Sequence, residues 1–238
     1  MLIPYEEFAR RADVVRAQIA AACGRAGRDP REVELLAVTK THPAAAAEYA
    51  ARYGLRAVGE NRVQEAVEKR AQSTAAVAWE LIGHLQSNKA KLAVQHFERV
   101  QSVDSEKLLN HLDRAAAELG KTLPVLLQIN AGDDPAKFGA DLADAPRLLA
   151  SALTKKNLRV DGFMTIAPLG PTPAETAAHA ERTFANLRTL RDDLAARGGA
   201  PLRELSMGMT GDLDLAVAAG STLVRVGTAL FGARDAAP

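Results

Sequence analysis

The chain has little cysteine, few aromatic residues and no excess of charge of either sign. Its 238 residues include one cysteine, Cys23, so an internal disulfide is excluded and a reducing compartment is expected. Aromatic side chains make up 4% of the chain, too few for the base-stacking surfaces of proteins that bind single-stranded nucleic acid. The 30 basic residues are balanced by 29 acidic ones, so no broad attraction to nucleic acid or membrane is expected.

Long apolar runs and targeting signals are also lacking. Residues 1–15 mix acidic and basic side chains where a secretory signal would need an apolar core. No run approaches the length needed to cross a bilayer. The five histidines are scattered, and no cysteine or carboxylate stands beside them at metal-ligand spacing, so no metal site is expected. We therefore predict a cytoplasmic protein that binds neither membrane nor nucleic acid.

What the chain does have is a regular alternation of helical and short apolar patterns. Apolar side chains at helical spacing predict an N-terminal helix over about residues 4–24. On the helix predicted after the second strand, Glu65 and Lys69 form an i,i+4 pair. Later helices are predicted near residues 141–153 and over residues 210–219, the second with two aspartates in its first turn. Eight short segments are predicted as strands, and they cover residues 33–39, 55–59, 79–83, 99–103, 123–130, 158–164, 203–207 and 222–227.

This alternation predicts the fold class. Strands separated by helices pair in parallel through helical crossovers. Eight such units in about 250 residues match a TIM barrel. We predict an α/β fold in which the whole chain, residues 1–238, is one domain: a single (β/α)8 barrel over about residues 33–234 with an extra N-terminal helix. A doubly wound open sheet is the alternative, but it usually has a glycine-rich turn after its first strand, and here that turn reads KTHP.

Polar residues stand where the predicted strands end, which is where TIM barrels place their functional groups. The candidates are Lys40, Asn61, His84, Asn130, Ser206, Arg225, Gly227 and Thr228, in chain order. Lys40 allows two interpretations. A lysine that ends an apolar strand commonly extends its ammonium to solvent. Held in a pocket instead, its amine could form an imine with a carbonyl compound.

The segment VRVGTALFG predicts an anion site beside a buried cation. Gly227 lets the backbone approach a ligand, and Thr228 stands where a short helix with free N–H groups would favour a phosphate. The alternative is a turn glycine followed by an ordinary N-cap. Ser206 would add a hydroxyl from the adjoining strand. Arg225 is expected to point into the barrel, where it needs either an ion pair, with Glu34 as the candidate, or the ring nitrogen of a bound ligand.

Seven motifs in a fixed order carry a family resemblance. They are AVTKTHP, VGENRVQEA, WELIGHLQSNK, VQSVDS, LLQIN, GFMTIAP and LSMGMTGDLDLAVAAGSTLVRVGTALFGAR, between about residues 33 and 234. Together they resemble the pyridoxal phosphate homeostasis protein family. The resemblance implies a single barrel similar to the N-terminal domain of alanine racemase, with pyridoxal 5'-phosphate (PLP) as the cofactor.

The resemblance also implies roles for the residues that would bind the cofactor ring. Lys40, the lysine of AVTKTHP, would form an imine with PLP. Arg225 would face the pyridine nitrogen, and Asn61 would lie near the ring. An arginine at that nitrogen keeps it unprotonated, so the cofactor would be a poorer electron sink than one paired with a carboxylate.

For the cofactor phosphate, the resemblance implies Ser206, Gly227 and Thr228 as the binding residues. Three positions depart from the commoner family pattern. Thr39 replaces a serine before the lysine, Glu80 replaces a histidine after the tryptophan, and MGMTGD replaces MGMSDD. These departures bear on the details of the phosphate contacts and leave the expected cofactor unchanged.

The function implied is that of a regulatory or carrier protein without catalysis of its own. It would keep free PLP low and supply the cofactor, with PLP-dependent apoenzymes as transient partners, and a monomer is expected. The alternative is a fold-type III PLP enzyme such as an amino-acid racemase; a Schiff-base aldolase without a cofactor is a further one. Racemisation needs a second base, and the three tyrosines fall in helices before or just after strand one, while the second domain that supplies this base in alanine racemases is not expected here.

Overall fold

The computed structural model describes residues 2–198 and 200–232, over which helices alternate with strands. The strands are β1 (Glu34–Val38), β2 (Ala57–Glu60), β3 (Ala78–Leu81), β4 (Arg99–Val103), β5 (Leu123–Asn130), β6 (Ala140–Asp141), β7 (Leu158–Met164), β8 (Glu204–Ser206) and β9 (Leu223–Val226). The helices are α1 (Tyr5–Arg25), α2 (Ala45–Tyr53), α3 (Val63–Gln72), α4 (Ala90–His96), α5 (Glu106–Glu118), α6 (Ala145–Leu153), α7 (Pro173–Ala196), α8 (Leu213–Ala218) and α9 (Thr228–Phe231).

Eight of the strands formed by the described residues close into a parallel barrel. Strand β1 pairs with β2 on one side and with β9 on the other, and β4 pairs with β5 to complete the ring. The short strand β6 stands outside the ring and pairs with the C-terminal end of β5. The predicted (β/α)8 barrel is confirmed, and the doubly wound alternative is wrong, because an open sheet would leave two edge strands unpaired.

Helix α1 precedes the barrel, as predicted, and packs against α8 and α9. Its residues Phe8, Ala12, Val15 and Ile19 recur at helical spacing and are buried. Phe8 stacks on Phe231 of α9 with their ring centroids 5.0 Å apart. The helix therefore covers the barrel where its first and last units meet.

Apolar side chains fill two regions, one between the strands and the helices and one inside the barrel. The inner cluster consists of Leu36, Val38, Ala57, Ile82 and Leu223. Successive side chains of a strand point to opposite faces, so Leu36 and Val38 of β1 face the lumen while Leu35 and Ala37 face the helices. This alternation places the next residue on the inner face, Lys40, at the C-terminal mouth of the barrel.

Besides strand ends that shift by one or two residues, one strand and the start of α6 differ from the sequence-based predictions. Strand β6 is too short to have a pattern of its own and was not predicted. Helix α6 begins at Ala145 rather than near residue 141, because Leu142–Asp144 forms a 3-10 turn. The predicted end of the barrel, near residue 234, lies outside the described residues. None of the helices formed by residues 2–198 and 200–232 is long and apolar enough to cross a bilayer.

Candidate functional site

A cavity of about 540 Å³ opens at the C-terminal end of the barrel. Five of the six predicted binding residues line it, namely Lys40, Asn61, Arg225, Gly227 and Thr228. A volume of this size is typical of sites for small molecules. The prediction that the strand ends converge on one site therefore agrees with the geometry for these five residues, and the sixth, Ser206, lies beneath the cavity.

Lys40 occupies the point where the chain leaves β1. Its side chain is half-buried and lines the cavity. The next residue, Thr41, has a φ of 65°, which is uncommon for a β-branched side chain. Its backbone N–H donates to Oε1 of Glu65 at 2.5 Å. The placement of Lys40 favours the pocket interpretation over simple extension into solvent.

Arg225 points from β9 into the lumen and is only 4% exposed. Its Nη1 donates to the hydroxyl of Ser206 at 2.8 Å, and its Nη2 donates to the carbonyl oxygen of Thr165 at 2.9 Å. Burial lowers the pKa of Arg225 to about 10, against the opposing effect of the Asp212 charge. At that pKa the guanidinium remains a cation at neutral pH and can only donate hydrogen bonds.

Glu34 is not the partner of Arg225. It begins β1 at the opposite end of the barrel, and its carboxylate lies 3.4 Å from Nη1 of Arg56. Burial raises the pKa of Glu34, an effect that the charge of Arg56 partly offsets. The interpretation of Arg225 as one half of an ion pair with Glu34 is therefore wrong, and the polar partners of its guanidinium are a hydroxyl and a carbonyl.

Ser206 supports Arg225 from below. The residue is fully buried and, while it accepts from Arg225, its Oγ donates to Oε1 of Gln101 at 2.6 Å. Nε2 of Gln101 donates in turn to Glu80, which also accepts from Nε of Arg99 at 2.9 Å. A chain of polar groups thus crosses the lumen. The contact of Ser206 with a phosphate stays a prediction, since its hydroxyl here already has a donor and an acceptor.

Gln101 was missed by sequence reasoning. The available signal was a glutamine in the middle of the predicted strand RVQSV. Such a side chain is buried with hydrogen-bond partners or not at all. The pattern alone did not reveal that its partners would be Ser206 and Glu80, which belong to other strands.

Gly227 and Thr228 form one side of the cavity. Helix α9 begins at Thr228, with Gly227 as an N-cap that offers no side-chain oxygen. A Cβ atom at Gly227 would lie 3.2 Å from the carbonyl oxygen of Val38. A side chain at this position would therefore fit only if Val38 at the end of β1 moved by a few tenths of an ångström. The first N–H groups of a helix have no partner within it, so those of α9 suit an anion.

The loop after β8 forms the neighbouring part of the wall. We predicted a helix from Thr210, but α8 begins at Leu213, and residues 209–211 line the cavity instead. Gly208 turns the chain with a φ of 95°, and the N–H of Met209 donates to Asp212 Oδ1. These two features end the strand in a loop and bring the hydroxyl-bearing Thr210 to the site.

Asn61 is held in place by the loop after β3. A Cβ atom built on Gly83 would lie 2.2 Å from the carbonyl oxygen of Asn61, so a residue with a side chain would displace one of the two loops. The hydroxyl of Ser102 donates to the carbonyl oxygen of Gly83 at 2.6 Å. Asn61 therefore approaches the cavity through a close backbone contact that glycine alone permits.

His84 and Phe138 lie at the mouth of the cavity. Their rings stack with centroids 4.0 Å apart, and Nδ1 of His84 lies 3.3 Å from Oδ2 of Asp104.

Asn130 does not line the cavity; its side chain donates to the carbonyl oxygen of Asp134 and accepts from the N–H of the same residue. Asn130 therefore holds the loop that carries Phe138. Over the described residues, no three histidine, cysteine, aspartate or glutamate side chains are grouped as a metal site.

Comparisons with known proteins identify the family. A family model described as the N-terminal domain of alanine racemase matches residues 12–235. A pyridoxal phosphate homeostasis protein from Pseudomonas aeruginosa is 44% identical over 93% of this chain and 93% of its own length. The chain belongs to the pyridoxal phosphate homeostasis protein family. Another member, from Escherichia coli K12, is 40% identical over 93% of this chain and 94% of its own.

Solved structures agree with this assignment to the pyridoxal phosphate homeostasis protein family. PipY of Synechococcus elongatus, solved with PLP bound, is 43% identical and matches with a TM-score of 0.80 over 94% of this chain and 100% of that one. An alanine racemase from Clostridium difficile matches with a TM-score of 0.72 at 14% identity, over 86% of this chain and 53% of that one. The second likeness shows the fold alone, and a shared fold does not decide whether this chain catalyses a reaction.

Proposed function

We propose that this protein binds PLP as an imine of Lys40 and acts in PLP homeostasis, holding the cofactor and supplying it. The observation that carries the proposal is the meeting of Lys40, Arg225 and Thr228 in one cavity. An amine for the aldehyde, a fixed guanidinium for the ring and a hydroxyl beside helix N–H groups for the phosphate are the three kinds of contact that PLP needs. The PipY relative has PLP bound.

Arg225 determines what chemistry the site favours. Two of its five N–H bonds go to Ser206 and Thr165, and its side chain also reaches the cavity. A guanidinium has no proton to give up, so a pyridine nitrogen opposite it would accept a hydrogen bond and stay unprotonated. Bound PLP supplies an electron sink for amino-acid chemistry, and an unprotonated ring weakens it. The site is therefore better suited to holding the cofactor than to catalysis.

The proposal has further parts that concern the protein as a whole. We propose a single domain, acting as a monomer in the cytoplasm, with no catalysis of its own and with transient delivery of PLP to apoenzymes. Cys23 is buried, and burial raises the pKa of its thiol, which fits a structural cysteine in a reducing compartment. Reactivation of a PLP-dependent apoenzyme by the loaded protein, followed against free PLP, tests the delivery.

The visible spectrum of the purified protein tests the central claim. Addition of PLP should produce a yellow protein with an imine band, and borohydride should bleach that band and leave the cofactor attached to the chain. This result would exclude both an aldolase without a cofactor and a purely structural role. A spectrum equal to the sum of free PLP and protein would contradict the proposal.

Thr228→Ala should weaken retention of PLP at least several-fold and leave binding of pyridoxal, which lacks the phosphate, almost unchanged. The hydroxyl of Thr228 stands beside the first N–H groups of α9, and a hydrogen bond to a charged group is worth roughly 1.5–3 kcal/mol. Equilibrium dialysis with both ligands measures the difference. Thr154→Ala, on the exposed end of α6, is the matched control.

Ser206→Ala separates two roles for the buried serine. Because Ser206 contacts Arg225, we expect its loss to weaken PLP and pyridoxal to a similar degree. A loss confined to PLP would instead show that Ser206 contacts the phosphate. Likewise, if Thr228→Ala weakened the binding of PLP and pyridoxal equally, Thr228 would not contact the phosphate.

A further inference from the structure

A second lysine is buried behind the barrel wall, next to Lys40. Lys69 of α3 has a side chain that is 10% exposed. Its Nζ donates to the carbonyl oxygen of Thr39 at 2.8 Å and to Oε1 of Glu60 at 2.8 Å. It also lies 2.6 Å from Oε1 of Glu65. An ammonium has three N–H bonds, so each bond of Lys69 has one acceptor.

These acceptors also hold both sequence neighbours of Lys40. On one side, the hydroxyl of Thr39 donates to Oε1 of Glu60 at 2.7 Å, while its carbonyl oxygen accepts from Lys69. On the other side, the N–H of Thr41 donates to Oε1 of Glu65 at 2.5 Å. A single cation therefore connects the two residues that flank Lys40.

The turn at Thr41 needs such a restraint. Its φ of 65° lies in the left-handed region, where a β-branched side chain is strained. Conformations of this kind persist only where the surrounding structure holds them. Glu65 supplies the bond to the Thr41 N–H, and Lys69 fixes Glu65. The cluster therefore stabilises the turn that leads the chain away from β1 at Lys40.

The charges in the cluster depend on Lys69. Glu60 has no exposed surface, and its Oε2 has no hydrogen-bond partner among the described residues. Burial raises the pKa of Glu60, and the hydrogen bond and charge of Lys69 oppose that effect. Burial also acts to raise the pKa of Glu65, but the bonds from Lys69 and Thr41 outweigh it and leave the pKa lowered. Without Lys69, two carboxylates would lose their common cation.

We propose that Lys69, together with Glu60 and Glu65, is a positioning residue for Lys40. The cluster fixes the turn over residues 39–41 and thereby sets how readily the Lys40 amine reacts with the aldehyde of PLP. Lys69 is not among the residues that line the cavity and acts through the backbone. This inference rests on the proposed function and adds to it the residues that prepare the reactive amine.

The test compares imine formation in the full-length protein, three single variants and one double variant, with PLP as the probe. Lys69→Met keeps the length of the side chain and removes its charge. Lys91→Met is the matched control, because Lys91 pairs at the surface with Glu118 at 2.8 Å. We expect Lys69→Met to slow imine formation about tenfold or more, since a small misplacement of a reacting group is costly. Lys91→Met should keep the wild-type rate.

Glu65→Ala provides a second route to the same result. It removes the acceptor of the Thr41 N–H while leaving Lys69 its contacts with Thr39 and Glu60, so the fold is less affected. It should slow imine formation as Lys69→Met does. The rate of imine formation is measured at a temperature well below unfolding. The melting temperature of each protein without PLP is measured separately.

Thr41→Gly distinguishes positioning from a loss of stability. Glycine adopts a positive φ without strain, so the turn needs less support from the cluster. Combined with Lys69→Met, it should restore part of the lost rate without restoring the melting temperature. Wild-type rates of imine formation in folded Lys69→Met and Glu65→Ala proteins would overturn the inference. So would a slow Lys69→Met protein whose rate does not rise when Thr41→Gly is added. Absence of an imine in the wild-type protein would instead refute the proposed function itself.

Discussion

Lys40→Ala is expected to abolish the imine band of the protein while leaving the barrel folded. Lys40 lies beyond the last residue of β1, lines the cavity and is half-buried, whereas Leu36 and Val38 of the same strand form the inner core. Removal of the amine takes away the only atom of this residue that can bond to the aldehyde. It should change the free energy of unfolding by no more than about 0.5 kcal/mol, as at other positions outside the core.

Borohydride reduction and peptide mapping measure this effect directly. In the wild-type protein the phosphopyridoxyl group should be found on Lys40. Lys137 also lines the cavity, so Lys137→Ala is the matched control and should keep the label on Lys40. A label on another lysine, with Lys40 unmodified in the wild-type protein, would refute the assignment.

The fold could be predicted because local patterns decide it. Strands β4, β5 and β7 have their predicted bounds, since each is a segment of strand length with recurring apolar residues between clear turns or helices. The strand-helix alternation then leaves few topologies, and closure into a barrel follows from the number of units. The loop over residues 209–211 was missed because Asp212 and Asp214, which follow it, suit the first turn of a helix. The turn at Gly208 and the Asp212 contact with Met209 decide otherwise.

The site could be predicted in part for a related reason. Lys40, Asn61 and Thr228 follow strands, and the ends of parallel strands in a barrel must meet. Ser206 and Gln101 act through a hydrogen bond between strands distant in sequence, for which no spacing rule exists. Lys69 was predicted only as the i,i+4 partner of Glu65. That pair is present at 2.6 Å, but its burial beside Thr39 depends on how α3 packs on the barrel.

We expect no substantial turnover of L-alanine or other common amino acids by the loaded protein. Racemisation through two bases needs an acid or base on each face of the substrate, and Lys40 can serve one face. The tyrosines do not supply the second. Tyr5 and Tyr49 contact each other edge to face with centroids 5.3 Å apart, and Tyr53 packs on Phe8 and donates to Asp13. All three therefore belong to the cluster where α1 meets α2, outside the barrel.

Incorporation of solvent deuterium at the α-carbon, followed by NMR with saturating PLP, measures this turnover. With Arg225 opposite the ring nitrogen, as proposed, the protein should be limited to slow imine exchange with amino acids, because the ring would lack the proton that stabilises a carbanion. Turnover on the order of 1 per second, within the usual range for enzymes, and lost in Lys40→Ala, would make the protein an enzyme. His84 lines the cavity and lies 3.3 Å from Asp104, so His84→Ala would then show whether this histidine is the second base.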